Sequence, residues 1–495
     1  MSQVINYSSL KPAYNIKAKR TFTVVRKYAF LFTLMVAIAG QFEPKLGLLV
    51  IPIMIGLLIA SFFKGRYWCG NICSHGSYYD SLLLPFSRNT KIPKFMQWTA
   101  LSLIVMAWFG FRMGTGFMRA AESYGTADFW DKTGVVFVNA YMMVVMVGTT
   151  FSLLVSPRMW CNVCPMGFMQ KLSHFMGRKA KVTKATEEMV TISDEQQCHK
   201  CAKCARVCPM QLSPYNSFNK KNQFDSNNCI KCSTCVGNCP AGILTFSNEN
   251  TARFITKNVK KEAGENRGRF TTTIHRITAL KGDVKEFVFQ LSDESIKFKA
   301  GQFILVKIQD KPEMFRAFSV SYFDEENNRI GVTVKKAPNG YGSEILFNDF
   351  EEGMTVVLEG PLGDEIVIDE KTKKAVFVGG GIGITPFVPL VQDAIERDQI
   401  EEVKLIYGVN KESELIYIDK FKAMEKENNK FEFIPVIAFD DKWPGQKGFV
   451  TNVLEQLDLT DNVIYMCGPK PMIDASLKTL SQLGVKKEKI RYESA

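Results

Sequence analysis

Cys198-His-Lys-Cys201-Ala-Lys-Cys204-Ala-Arg-Val-Cys208-Pro209 recurs as Cys229-Ile-Lys-Cys232-Ser-Thr-Cys235-Val-Gly-Asn-Cys239-Pro240. Three thiols spaced by two residues hold three corners of one iron–sulfur cube. The remote fourth, followed by proline, reaches across to the other cube. The repeat therefore assigns Cys198, Cys201, Cys204 and Cys239 to one 4Fe–4S centre, and Cys229, Cys232, Cys235 and Cys208 to a second. Thiolates suit this task because soft sulfur delocalises charge and selects iron–sulfur over hard cations. A pair of zinc sites is the competing reading, but zinc takes four ligands per ion and no interlocked pattern.

Working outward, twelve of the thirteen cysteines fall in four tight groups, the other two being Cys69/Cys73 and Cys161/Cys164. Thiols packed so closely in sequence are poorly placed to staple distant segments of a 495-residue chain, so metal ligation in a reducing compartment is expected. The length allows three or four compact units. A net charge of +12 could suggest nucleic acid, but the basic residues cluster around apolar segments, which fits a membrane surface better. Met1–Thr21 is polar and no small-residue cleavage site follows, so no cleavable signal peptide is expected.

On the N-terminal side lie four apolar runs: Tyr28–Phe42, Leu46–Phe63, Trp98–Phe111 and Gly134–Val155. A spanning helix needs about 20 residues, so the second and fourth are long enough and the first and third are short. Buried helices of a soluble domain are the alternative for the short ones. Against it, Trp68, Trp98, Trp108, Trp130 and Trp160 lie in or beside the runs, as an interfacial belt requires. Lys11, Lys17, Lys19, Arg20, Arg26 and Lys27 precede the first run, and Lys64, Arg66, Arg88, Lys91 and Lys94 follow the second. The Arg112–Thr133 loop carries fewer, which puts the N-terminus in the cytosol. With an even number of spans, both membrane-edge cysteine pairs and the C-terminal half emerge on that side. The reading is thus a four-span domain over 1–176, a linker over 177–197, a two-cluster ferredoxin-like domain over 198–246 and a second linker over 247–266.

The cluster repeat resembles the two-cluster bacterial ferredoxins. The contexts Arg66-Tyr-Trp-Cys69-Gly-Asn-Ile-Cys73-Ser-His-Gly76 and Arg158-Met-Trp-Cys161-Asn-Val-Cys164-Pro-Met-Gly167 resemble the NapH-like, quinol-dehydrogenase-type membrane polyferredoxins over about Arg20 to Gly242. Two departures stand out. Ser74 replaces the usual proline, and the second motif has two residues between its cysteines where three are usual. The resemblance implies that Cys69, Cys73, Cys161 and Cys164 converge on a further iron–sulfur centre at the cytosolic membrane edge. A dithiol relay or plain buried cysteines are the alternatives. His75 is a candidate hydrogen-bonding group for a quinone, or a packing residue.

On the C-terminal side, alternating stretches such as Arg269–Ile277 and Gly301–Ile308 read as strands. From Ala375 onward, Ala375–Val378, Val403–Tyr407, Phe431–Ala438 and Val463–Met466 alternate with helical sequence, the pattern of a doubly wound parallel α/β sheet. Arg316-Ala-Phe318-Ser319 resembles the flavin motif of the ferredoxin–NADP reductase superfamily, with Phe318 in place of tyrosine. That resemblance, covering about Arg267 to Ala495, implies an antiparallel β-barrel FAD domain over 267–371 and a nucleotide domain over 372–495. It also implies roles. Arg316 would neutralise the FAD pyrophosphate, Phe318 cover the isoalloxazine and Ser319 sit by flavin N5. Gly342 and Ser343 would present groups to the pyrophosphate from a helix N-terminus. Gly379-Gly380-Gly381-Ile-Gly383-Ile-Thr385-Pro386 matches the superfamily's nucleotide loop, with Thr385 facing the nicotinamide. Cys467-Gly468-Pro469-Lys-Pro-Met472 matches its second hallmark turn. Asn410 stands where NADP-preferring members often carry arginine, which favours NADH over NADPH.

NAD(P)H gives up two electrons as hydride, whereas an iron–sulfur centre takes them singly, and a flavin adapts one to the other. The expected function is electron transfer from NAD(P)H through FAD and the clusters to a membrane acceptor, with quinone favoured. The apolar runs hold no Asp, Glu, Lys, Arg or His, so no ion pumping is expected. A conduit to an extracytoplasmic flavin or haem partner, docking on the Arg112–Thr133 loop, is the second reading. A redox sensor or assembly factor is the third. The expected site is the bacterial cytoplasmic membrane, with all cofactor domains cytosolic.

Overall fold

The structure, a computed structural model, describes residues 14–258, 267–291 and 297–494. Lys11, the part of the second linker at 259–266, and Ala495 lie outside the described residues. Two compact units emerge. One is built of Ala13–Cys198 and Ala202–Lys260, the other of Lys261–Ala495 together with His199–Cys201.

In the first unit, among the described residues, four helical segments are long and apolar enough to cross a membrane. They are α1 (Val24–Gln41), α2 (Pro44–Lys64), α3 (Thr99–Ala121) and α4 (Asp128–Leu154). Helix α2 stops because Gly65 takes φ +62°, a conformation that costs other residues a steric clash. Helices α2 and α4 cross at backbone distance: a Cβ on Gly47 would lie 2.3 Å from the Gly134 carbonyl oxygen. Small residues at such a crossing allow dense packing without help from water.

Two sequence expectations change here. The third run is not short, because α3 continues through Arg112 and Arg119 to Ala121. The Arg112–Thr133 loop dissolves into the ends of α3 and α4, leaving only residues 122–127 between them. Arg112, Gly114 and Gly116 look like loop formers in sequence. Their neighbours are good helix formers, however, and a long basic side chain at a span's end can reach water. Trp160 also leaves the proposed aromatic belt: it is buried beside Cys161.

Helix α5 (Pro165–Lys179) follows, with proline at its first turn. Three short strands, β1 (Met189–Ile192), β2 (Gln223–Phe224) and β3 (Leu244–Ser247), pair antiparallel in the order β2-β1-β3. The central strand therefore sits inside the stretch read as the 177–197 linker. Its partners are distant in sequence and Val190 and Ile192 are buried, neither of which local polarity reveals. Helix α6 (Glu249–Asn258) likewise occupies part of the second linker.

The second unit begins with a closed antiparallel barrel. Its strands are β4 (Gly268–Ala279), β5 (Val284–Gln290), β6 (Phe303–Gln309), β7 (Met314–Asp324) and β8 (Arg329–Lys335), then α7 (Tyr341–Asp349) and β9 (Thr355–Leu362). Closure runs β4-β5-β8-β7-β6-β9, leaving no edge unpaired. Next come β10 (Lys374–Gly380), α8 (Phe387–Glu396), β11 (Glu402–Val409), α9 (Ile418–Glu427), β12 (Phe431–Ile437), β13 (Gln446–Lys447), β14 (Val463–Gly468), α10 (Lys470–Gln482) and β15 (Ile490–Ser494). These strands form a parallel sheet in the order β13-β12-β11-β10-β14-β15. Ala375–Val378 are fully buried, as a strand covered on both faces requires.

Candidate functional site

The two Arg-x-Trp-Cys motifs form one site with approximate internal symmetry. Arg66 Nη2 donates to the Cys161 carbonyl at 2.9 Å and lies 3.8 Å from Cys69 Sγ. Arg158 Nη1 donates to the Cys69 carbonyl at 3.1 Å and lies 3.6 Å from Cys161 Sγ. Each arginine thus holds its own motif's thiol and the opposite motif's backbone. Gln170 Nε2 adds a contact to Cys69 Sγ at 3.1 Å. Cys73 Sγ accepts from the Gly76 amide at 3.5 Å, at the start of the Ser74–Tyr78 helix. Cys164 takes the equivalent place, preceding α5, without a side-chain capping bond.

Burial and the neighbouring thiols Cys69 and Cys161 push the Cys73 thiol up to about 12, and burial does the same for Cys164. Buried thiols such as these resist ionising side by side unless cationic metal shares their charge. The donor set, all sulfur with N–H groups aimed at it, fits an iron–sulfur core. A basic residue before each cysteine pair is visible in the sequence, but nothing local ties Arg66, Arg158 or Gln170 to the thiols. The repeated Arg-x-Trp-Cys spacing was the available signal. His75 borders the same cavity, with its ring 4.5 Å from that of Tyr141. Burial pushes its pKa down to about 4, so it is neutral at pH 7. His174 is not at the cysteines: it pairs with Glu187 at 2.9 Å.

In the cluster segment, Cys208 lies near enough to Cys229, Cys232 and Cys235 for their charges to interact, the grouping the interlocked repeat expects. Cys198, Cys204 and Cys239 pack against a small core of Val190, Ile192, Phe224 and Leu244. In both repeats the residues flanking the middle cysteine have left-handed backbone: Lys200 and Ala202 around Cys201, Lys231 and Ser233 around Cys232. Non-glycine residues rarely accept this, and loops that wrap a cofactor are where such strain is kept. Among the described residues no three His, Cys, Asp or Glu side chains converge on a single ion.

In the barrel, Arg316 and Gly342 are brought together, since a Cβ on Gly342 would lie 2.6 Å from Arg316 Nε. Phe318 and Ser319 follow on β7, both half-buried. Ser343 is in the first turn of α7, its hydroxyl donating to the Gly340 carbonyl and accepting from the Ala337 amide, each at 3.1 Å. In the parallel sheet, Gly379 of β10 pairs with Cys467 of β14. A side chain on Gly380 would meet Met472 Sδ at 2.3 Å, and one on Gly383 the Cys467 carbonyl at 2.3 Å. Gly381 turns with φ +57°, and Thr385 and Pro386 lead into α8. The Gly379–Pro386 loop and the Cys467–Met472 turn, including Gly468 and Pro469, are therefore one bare cradle. The absent side chains let the two turns pack backbone against backbone. Glu493 is adjacent to Cys467 in the sheet, and burial and the Glu365 charge push its carboxyl up to about 7. Nothing in the sequence singles out Glu493, since an isolated acid carries no signal.

Family models agree with this partition. An "Oxidoreductase FAD-binding domain" matches residues 271–365 and an "Oxidoreductase NAD-binding domain" matches 377–478. A "4Fe-4S dicluster domain" matches 190–240, and a "4Fe-4S binding domain" matches twice, at 46–93 and 138–183. Fold and site thus define a class: FAD-binding and NAD-binding oxidoreductase domains joined to 4Fe–4S domains. Its cofactors are FAD, NAD(P)H and 4Fe–4S clusters.

The chain is 29% identical over 205 residues to the reductase component of propane 2-monooxygenase from Mycolicibacterium smegmatis, covering 40% of this chain and 59% of that one. It is 28% identical over 185 residues to the anthranilate 1,2-dioxygenase electron transfer component of Acinetobacter baylyi, covering 37% and 53%. The F component of the Na(+)-translocating NADH-quinone reductase of Idiomarina loihiensis is 28% identical over 260 residues, covering 42% and 63%. The chain thus spans between half and two thirds of each relative's length.

Proposed function

We propose that this chain is a membrane-bound NAD(P)H:quinone oxidoreductase that passes electrons from FAD through 4Fe–4S clusters to the bilayer without pumping ions. The reaction balances as NAD(P)H + H⁺ + quinone giving NAD(P)⁺ + quinol. Arg316, Gly342 and Ser343 would hold the FAD pyrophosphate, with Phe318 and Ser319 at the flavin ring. The glycine cradle with Thr385 and Cys467 would place the nicotinamide. FAD supplies the exchange between hydride and single electrons.

The observation that carries the reading is the packing of the ferredoxin repeat on the membrane-edge site. A Cβ on Gly70 would lie 1.9 Å from the Ile230 carbonyl oxygen and 3.1 Å from the Cys232 Cα. Asn71 Nδ2 donates to the Lys231 carbonyl at 3.1 Å, and Arg26 Nη1 to the Cys232 carbonyl at 3.0 Å. Cys69–Asn71 and Cys229–Cys232 are therefore in backbone contact, and a centre held by one loop would have the other as its neighbour. The oxygenase-reductase relatives carry names that tie them to oxygenase partners, and the Idiomarina loihiensis relative is named for a quinone reductase. Four apolar helices around the innermost cysteines favour the second kind of acceptor here. Both termini and all cofactor domains would face the cytosol of a bacterial inner membrane.

The test is the purified protein in proteoliposomes with NADH and a short-chain quinone. Quinone-dependent NADH oxidation is expected, with no ion gradient beyond scalar proton uptake. Turnover seen only with a co-purifying protein partner, or a pumped gradient, contradicts the proposal.

A further inference from the structure

Cys69, Cys73, Cys161 and Cys164 all line one cavity of about 320 Å³. Phe32 of α1, Met54 of α2, Met113 of α3 and Phe137 of α4 line the same cavity. An iron–sulfur core needs the thiols and has no use for a lining drawn from all four helices. His75 and Tyr141 also line it, their rings 4.5 Å apart. His75 Nε2 is buried there with no hydrogen-bond partner. A buried nitrogen without a partner is costly and marks a place where a ligand's polar group belongs.

We propose that this cavity is the quinone site: the ring sits by His75 and Tyr141, and its isoprenoid tail runs between the four helices. The inference rests on the quinone reading above and adds the place. A quinone suits both sets of lining residues. Its carbonyl can accept from an imidazole N–H, its hydroxyl after reduction can donate to an imidazole nitrogen, and its remaining surface is apolar. The site would put the ring beside Cys69, Cys73, Cys161 and Cys164; an iron–sulfur centre held by these thiols would supply two electrons singly, and the two protons would come from water.

Two variants and one labelling experiment test this on the full-length protein. Ala140 lines the apolar part of the cavity, so Ala140→Phe fills it without touching a cysteine. His75→Leu removes the unpartnered nitrogen. Both are expected to raise the KM for a short-chain quinone about tenfold, the effect of one buried hydrogen bond or a blocked pocket. The NADH:ferricyanide rate, which reports on the flavin half, and the iron content serve as controls. An azidoquinone photolabel on the unaltered protein is expected on the peptides carrying Met54, Phe137 or Tyr141, whether or not either variant assembles. If the unaltered protein reduces quinone but the label maps elsewhere, or both variants keep the original KM, the cavity is not the site and the quinone reading survives. If the fully assembled protein reduces ferricyanide but no quinone, the reading fails and this inference with it. Lipid rather than label in the cavity counts against it in the same way.

Discussion

The Asp80 carboxylate sits between three guanidinium groups, those of Arg20, Arg26 and Arg158, at 3.5, 2.7 and 2.6 Å. None of the four side chains is more than 3% exposed. Burial alone would raise the acid's pKa, but Arg158, Arg26 and Arg20 hold it below the usual carboxylate range. Arg158 and Arg26 also bond the Cys69 and Cys232 carbonyls, so Asp80 ties the two cysteine loops together. Asp80→Asn leaves buried cations uncompensated and is expected to cost about 3–5 kcal/mol. A lower thermal midpoint for iron release would report it, and a variant as stable as the parent would count against the network. Glu493 behaves oppositely. Its raised pKa means the folded state keeps a proton that the unfolded chain has released. Stability from this group is therefore fully present below pH 4.5 and declines as pH rises through about 7. Glu493→Gln is expected to flatten that decline in the thermal midpoint of flavin release. An unchanged pH profile would show that the carboxyl is not buried in this way.

At the scale of elements, the contact of the Tyr67–Asn71 helix with the Ile230–Cys232 loop depends on one missing side chain. Gly70→Val would force backbone apart by more than a side-chain rotation can absorb, costing about 1–3 kcal/mol. Quinone reduction is expected to fall well below the parent rate while ferricyanide reduction holds, and equal losses in both would place the damage elsewhere. The cysteine loops were legible in sequence because cluster chemistry fixes ligand spacing along the chain. Individual strands and the parallel sheet were legible because alternation and glycine turns are local, whereas the barrel came only from the resemblance of Arg316–Ser319 to a known flavin motif. What escaped was set by distant partners. Arg66 and Arg158 reach across 95 and 89 residues to the opposite motif's carbonyls, and nothing local says so. Strand β1 looked like linker because its burial comes from β2 and β3. The far end of α3 looked like loop because glycine and arginine outweighed helical neighbours.

Taken whole, the molecule joins twelve thiols, read as three groups of four, to a flavin and nucleotide module. Sequential spacing defines two of the groups and the crossed arginine motif defines the third. In the proposed topology, the basic excess around the apolar helices would meet an anionic lipid surface. If hydride from NAD(P)H is split at FAD and sent inward, all three groups must hold clusters that the nucleotide can reduce. The most direct measurement is iron and acid-labile sulfide per FAD, with EPR of the protein reduced by NADH without oxygen. The expected result is about twelve iron and twelve sulfide per flavin, with signals of interacting reduced cubanes. About eight of each, bare thiols at Cys69, Cys73, Cys161 and Cys164, or clusters that dithionite reduces but NADH does not, would contradict it.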